Sequence, residues 1–369
     1  MSIYILTYIL LVLKVIKRKL IPDKFMFMFI LIIVCFTYYN GSDWRVYEKV
    51  YENSNLIRVN YSHWESGFKY LIFLFNNLGV SFIFFMIGLK VMTFLIIIKF
   101  FRKFSKNFWM SMLLYVPIQG YVLFIDNPLR QMVGVAIMLL ASLYSRQKIV
   151  YIIFIIIAAQ FHKSAVIFLV PLLLSKYIYK KLFNYSFMLK VYIFLYLIVF
   201  IPKDIYITFG NLFKNIFIID FYIRHYIDKL SDIRLSKTLF VTLVYLGIYL
   251  YNLVKKNVEE SCKYSLLFFN LYIIILIFSS RLNDLLRINL YFSPYFIVIM
   301  TSLIMKKKYI RTFIIVLEFV NSIILVKNSY KYIPYTNFLF SEYKEFEYRK
   351  NYHFKYYEER GKIWKKDLR

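Results

Sequence analysis

An all-α, polytopic integral membrane protein is the fold class that this sequence predicts, and three observations predict it. Hydrophobic residues make up 61% of the chain and aromatic residues 21%, with a mean hydropathy of +0.59. One soluble core could not bury that much apolar surface. The apolar residues come in runs separated by short basic clusters. Despite a net charge of +28, the Lys and Arg are spread between the runs and do not share one soluble face. Loop cations of this kind report membrane topology and argue against nucleic-acid binding.

Taken in order, the runs predict about twelve transmembrane or re-entrant helices. Ile3 to Ile16 carries its cations (Lys17, Arg18, Lys19) after the run, whereas a secretory signal carries them before it, so it reads as a retained span entering the cytoplasm. Phe25 to Tyr39 returns outward. Val80 to Phe101, Phe108 to Ile125 and Leu129 to Tyr144 follow, then the short runs Ile149 to Phe161 and Ala165 to Leu174. Met188 to Ile201, Leu239 to Val254, Tyr264 to Phe278, Ile288 to Met305 and Ile310 to Val326 complete the set, so residues 1–326 read as one membrane domain. The clusters Lys17 to Lys24, Lys99 to Lys106, Arg146 to Lys148, Lys176 to Lys181, Lys255 to Lys263 and Lys306 to Arg311 are assigned inside. Outside loops then fall at 40–69, 126–129, 202–237 and 279–287. The tail, 327–369, is basic and Tyr-rich, yet parity puts it outside. Either one apolar segment is re-entrant or the tail departs from the charge rule, which is a bias.

Ile149 to Phe161 and Ala165 to Leu174 are each too short to cross about 30 Å of hydrocarbon at about 1.5 Å per residue. As one tilted helix they would place His162 and Lys163 at mid-membrane. As two arms they would place His162 at a break below the outer surface, where non-helical backbone needs cover from protein or a water-filled cavity.

Candidate site residues follow from polar groups recessed in this background. Asp126-Asn127-Pro128-Leu129-Arg130-Gln131 and Gln160-Phe161-His162-Lys163-Ser164 interrupt apolar runs, and such groups are costly unless they have a partner or a task. Asp43 and Glu65 bracket the first outside loop, and Arg281 and Arg287 bracket a short one around Asn283 and Asp284. Lys outnumbers Arg in the chain, so Arg at recessed positions suggests planar, bidentate anion recognition. Plainer readings stand beside these. Arg130 could pair with Asp126 one turn earlier. Asp126 could cap the helix that Pro128 opens. His162 could be a hydrogen-bonded core residue, Asp43 a turn or cap residue, Glu65 a solvated acid, and the two late Arg residues partners of Asp284 or headgroup anchors. Cys35 and Cys262 define no disulfide framework. Metal, phosphate-loop and metalloprotease motifs are absent from the accessible loops, which disfavours soluble nucleotide chemistry.

The order of these residues resembles the EpsG-like branch of the Wzy-type repeat-unit polymerases. The likeness rests on Gly41-Ser42-Asp43 with Tyr47, on Glu65 and Gly67, on Arg130-Gln131, on Phe161-His162 with Ser164, and on Arg287 with Tyr291-Phe292. It spans roughly residues 1–340, including Pro334-Tyr335. Lys163 beside the histidine is a departure that would alter the local pKa. The resemblance implies a multi-pass protein of the cytoplasmic membrane that polymerises undecaprenyl-diphosphate-linked repeat units into a capsular or exopolysaccharide on the outer face, without metal or other cofactor. Its implied partners are the lipid-linked oligosaccharide, membrane lipid, and a chain-length regulator and flippase of the same pathway. Arg130, Gln131, Arg281 and Arg287 would bind substrate, and Asp43, Glu65 or His162 would serve as base. A ligase using the same donor, or a transporter of the lipid-linked glycan, are the alternatives. The lack of a half-to-half repeat weighs against the transporter.

Overall fold

The computed structural model describes residues 1–53, 64–144, 147–201, 237–255, 263–282, 285–327 and 329–367. Helices make up 81% of the structure, and no strand occurs among the described residues. Among the described residues, four helices are long and apolar enough to cross a membrane, Phe82–Phe104, Phe108–Ile125, Leu285–Ile304 and Lys308–Lys327, and seven further apolar helices are shorter. The chain divides into two compact units, Met1–Val166 with Tyr309–Arg369, and Ile167–Lys308.

In the first unit, α1 (Ser2–Ile16) and α2 (Asp23–Cys35) are joined by a turn that Lys14 closes. Its ammonium reaches Asp23 at 2.6 Å and the carbonyls of Arg18 and Ile21. Next come α3 (Trp44–Glu52) and α4 (Ser66–Asn77), both within or beside the segment expected to be a loop. The first is amphipathic and buries Trp44, Tyr47, Val50 and Tyr51 on one face. α5 (Phe82–Phe104) is the longest apolar helix, and its fully buried Lys90 donates to the Thr37 carbonyl (3.0 Å) and hydroxyl (2.8 Å) beyond α2. Those two acceptors satisfy much of a charge that would otherwise be costly at this depth.

α6 (Phe108–Tyr115) widens into a π-helical stretch, Val116–Ile125. Pro117 lies at its start and contributes no N–H to the ladder, and its carbonyl accepts from the Ser322 hydroxyl at 3.1 Å. α7 (Leu129–Tyr144) and α8 (Lys148–Ala159) follow, and the expected bounds of α7 match those observed. A break at residues 160–162 and a 3₁₀ segment, Lys163–Phe168, then interrupt the chain, so the His162 region is broken into two arms and does not run as a single helix. The unit also includes α14 (Lys308–Lys327) and α15 (Tyr343–Asp367).

The second unit holds α9 (Leu169–Leu182), α10 (Tyr185–Val199), α11 (Lys237–Val254), α12 (Lys263–Ser279) and α13 (Leu285–Ile304). Its core is aromatic: the rings of Phe269 and Phe296 stack at 5.4 Å, and those of Tyr272 and Phe296 at 4.2 Å. Phe168 packs against Phe268, Tyr291 and Phe292. Tyr192 donates its hydroxyl to Asn270, which satisfies both polar groups inside that core.

The tail lies on the same side of the first unit as the segment after α2. Residues 36–41 and 331–338 are zipped together by backbone hydrogen bonds, from Phe338 N–H to the Phe36 carbonyl at 2.8 Å and from Gly41 N–H to the Lys331 carbonyl at 2.8 Å.

Candidate functional site

Gly67 and Glu65 fasten the start of α4 onto the break beside His162. A Cβ at Gly67 would sit 2.8 Å from the Gln160 carbonyl oxygen, so only glycine permits this approach. Glu65, the residue preceding α4, uses both carboxylate oxygens: Oε2 accepts from Arg130 Nη1 at 2.7 Å, and Oε1 from the Lys163 backbone N–H at 3.1 Å. One buried acid thus ties the first turn of α7 to the residue after His162. Burial pushes the Glu65 carboxyl up, but backbone N–H groups and the Arg130 guanidinium outweigh it and hold it below the usual carboxylate range.

Arg130 is pinned on more than one side. Its guanidinium lies 4.9 Å from the Trp64 ring centre and against Tyr47, whose hydroxyl is pushed up to about 12 by burial. Trp64, Tyr47 and Phe68 pack on one another with centroids 5.3 to 5.8 Å apart. The side chain keeps 23% of its surface open, whereas its neighbour Gln131 is buried. Arg130 Nε is buried with no hydrogen-bond partner among the described residues. His162 Nδ1 meets the Ser164 hydroxyl at 2.5 Å, which fixes the ring and couples its tautomer to the direction of that hydrogen bond.

Arg130 does not pair with Asp126, because Asp126 has other partners. Its Oδ2 lies 2.6 Å from Lys331 Nζ, and its Oδ1 accepts from the Ser42 N–H (3.1 Å) and hydroxyl (2.9 Å). The capping reading of Asp126 fails for the same reason. Asn127 adopts φ +68 between the two helices and its amide contacts Met86 Sδ.

Asp43 sits at the cap position of α3 without a side-chain capping bond. The Ser42 hydroxyl is 2.9 Å from Asp43 Oδ1 as well as from Asp126. Since Asp126 already receives a backbone N–H and an ammonium, the single hydroxyl proton is available to Asp43. Gly41 makes this arrangement possible, with φ +85 and with the place of a Cβ only 2.4 Å from the Asp126 carbonyl oxygen.

The sequence reading missed the two tail residues that complete this loop. His353 is buried and its Nε2 donates to the Gly41 carbonyl at 2.8 Å. Burial lowers its imidazole to about 4, with Arg45 and Arg349 adding to the effect, so the ring is neutral near pH 7. The spacing of Arg349 and His353, one helical turn apart in a Lys-rich tail, was the available signal.

Arg281 and Arg287 belong to the second unit. Arg281 is buried and donates to the Ile201 carbonyl, and Arg287 is exposed in the first turn of α13, inside the helix and not at a loop edge. Asn283, Asp284 and Cys262 lie outside the described residues, as do residues 54–63 and 202–236 of the expected outside loops.

A family model described as the EpsG family matches residues 20–344. No curated protein and no solved structure matches the chain.

Proposed function

The chain belongs to the EpsG family, and from that premise we propose that it joins lipid-linked oligosaccharide repeat units into a capsular or exopolysaccharide on the outer face of the cytoplasmic membrane. Membership of the family and the apolar helices make it a membrane protein with a polysaccharide polymerase-like role. In this reading the shorter apolar helices complete a multi-pass domain of about twelve crossings or near-crossings, with α8 and the 3₁₀ segment as the re-entrant arms.

The observation that carries the proposal is the Arg130 guanidinium, held by Glu65, seated on Trp64, and still partly open. The bond that breaks joins the anomeric carbon of the growing glycan to its lipid diphosphate, which leaves with the bonding pair. The bond that forms joins that carbon to a hydroxyl oxygen of the next repeat unit. Charge grows on the departing diphosphate, and a preorganised guanidinium stabilises it in a low-dielectric cleft. The exposed Lys163 adds a positive charge beside the neutral Arg130–Glu65 pair.

Glu65 suits positioning better than proton abstraction, because its ionised form is already committed to Arg130 and to Lys163 N–H. Asp43 and His162 remain the base candidates. For His162 to act, its ring takes the proton of the acceptor hydroxyl, and the hydrogen bond between Nδ1 and Ser164 sets the tautomer that does so. Gln131 in the first unit, and Arg281 and Arg287 in the second, stay proposed substrate contacts.

Cells lacking the protein should accumulate single lipid-linked repeat units on the outer side and make no long glycan. Accumulation on the inner side would identify a transporter instead. Long lipid-linked glycan that is never passed to its final acceptor would identify a ligase.

A further inference from the structure

The helix α15 lies almost wholly beyond the family match, which ends at residue 344, yet it is built into the loop that carries Asp43. Arg349 is fully buried, and its guanidinium donates to the carbonyls of Tyr330 (2.7 Å), Lys331 (3.1 Å) and Ile333 (3.3 Å). Lys331 in turn accepts the Gly41 N–H at 2.8 Å and extends its ammonium to Asp126. His353 takes the Gly41 carbonyl, with its ring edge against Trp44 and Tyr330. Gly41 is therefore held at its N–H by Lys331 and at its carbonyl by His353, while Asp126 holds the next residue. A segment fixed at successive peptide groups has little freedom left to reorient the Asp43 carboxylate.

We propose that α15 is a positioning clamp, in which His353 and Arg349 set the orientation of Gly41-Ser42-Asp43 and thereby of the Asp43 carboxylate in the polymerase site. The inference rests on the polymerase reading, in which Asp43 faces substrate. His353 touches no reacting atom and acts through the Gly41 peptide.

The test uses the full-length protein in membranes. Tyr330 and Tyr356 stack with centroids 3.9 Å apart, so Y330C and Y356C, with Cys35 and Cys262 replaced by Ala, form a reporter pair for a short bis-maleimide. The parent and H353Q, whose amide keeps a donor, should cross-link. In the protein without the reporter cysteines, H353F keeps a ring beside Trp44 and loses the donor. It should lower turnover of lipid-linked repeat units about 10- to 100-fold at unchanged KM, and H353Q should restore most of it. No cross-link in the parent overturns the docking of α15, whatever the activity. Wild-type turnover in H353F, or a loss carried entirely by KM, overturns the positioning role. If parent membranes cross-link but extend no glycan, the polymerase reading fails while the docking stands.

Discussion

Arg130→Lys is expected to abolish chain extension while leaving protein level and membrane insertion unchanged. Lysine can keep the charge, and its ammonium can still meet Glu65. It cannot lie flat on Trp64, meet Glu65 through one nitrogen, and still direct further N–H groups at a phosphate, because those tasks need a planar fork. Losing a preorganised donor to the transition state costs about 10²- to 10³-fold in rate. The stacking on Trp64 contributes only about 0.5–1 kcal/mol at a partly open site, so the fold should tolerate the change. Turnover assays and membrane immunoblots separate the two effects. Full activity in Arg130→Lys would remove Arg130 from the reaction.

Gly41→Ala should produce the largest loss of stability. Its φ of +85 penalises any Cβ, and that Cβ would lie 2.4 and 2.5 Å from the backbone oxygens of Asp126 and Ile125. The φ alone costs about 1–3 kcal/mol. The contacts are with backbone, so relief requires moving the π-helical stretch or the zipped tail. Gly88→Ala, inside α5 with nothing within 4 Å of its new Cβ, is the matched control and should be neutral or slightly stabilising. Thermal aggregation midpoints in detergent extracts measure the difference. Equal midpoints for the two variants would contradict the crowded Gly41 geometry.

Local pattern carried much of the helical fold and little of the site. α7 was legible from Leu129 to Tyr144 because an apolar run sits between a Pro turn and a basic cluster. The segments missed were α3, α4 and α15. The first is charged on one face, and α15 is polar along its length, so its order is set by buried Arg349 and His353 and not by an apolar face. Site pairings were illegible for a different reason. Glu65 meets a residue 65 positions away, and Asp126 meets one 205 positions away, whereas sequence proximity suggested that Asp126 and Arg130 belonged together. The break at His162 was legible because two apolar arms too short to cross enclosed a polar cluster.

The most direct measurement is extension by the purified protein, reconstituted in lipid vesicles with lipid-linked repeat units as the sole glycan substrate. Wild-type protein should yield lipid-linked glycans of increasing repeat number, and Arg130→Lys only the input unit. Repeat units that change leaflet without growing in length would contradict the polymerase reading.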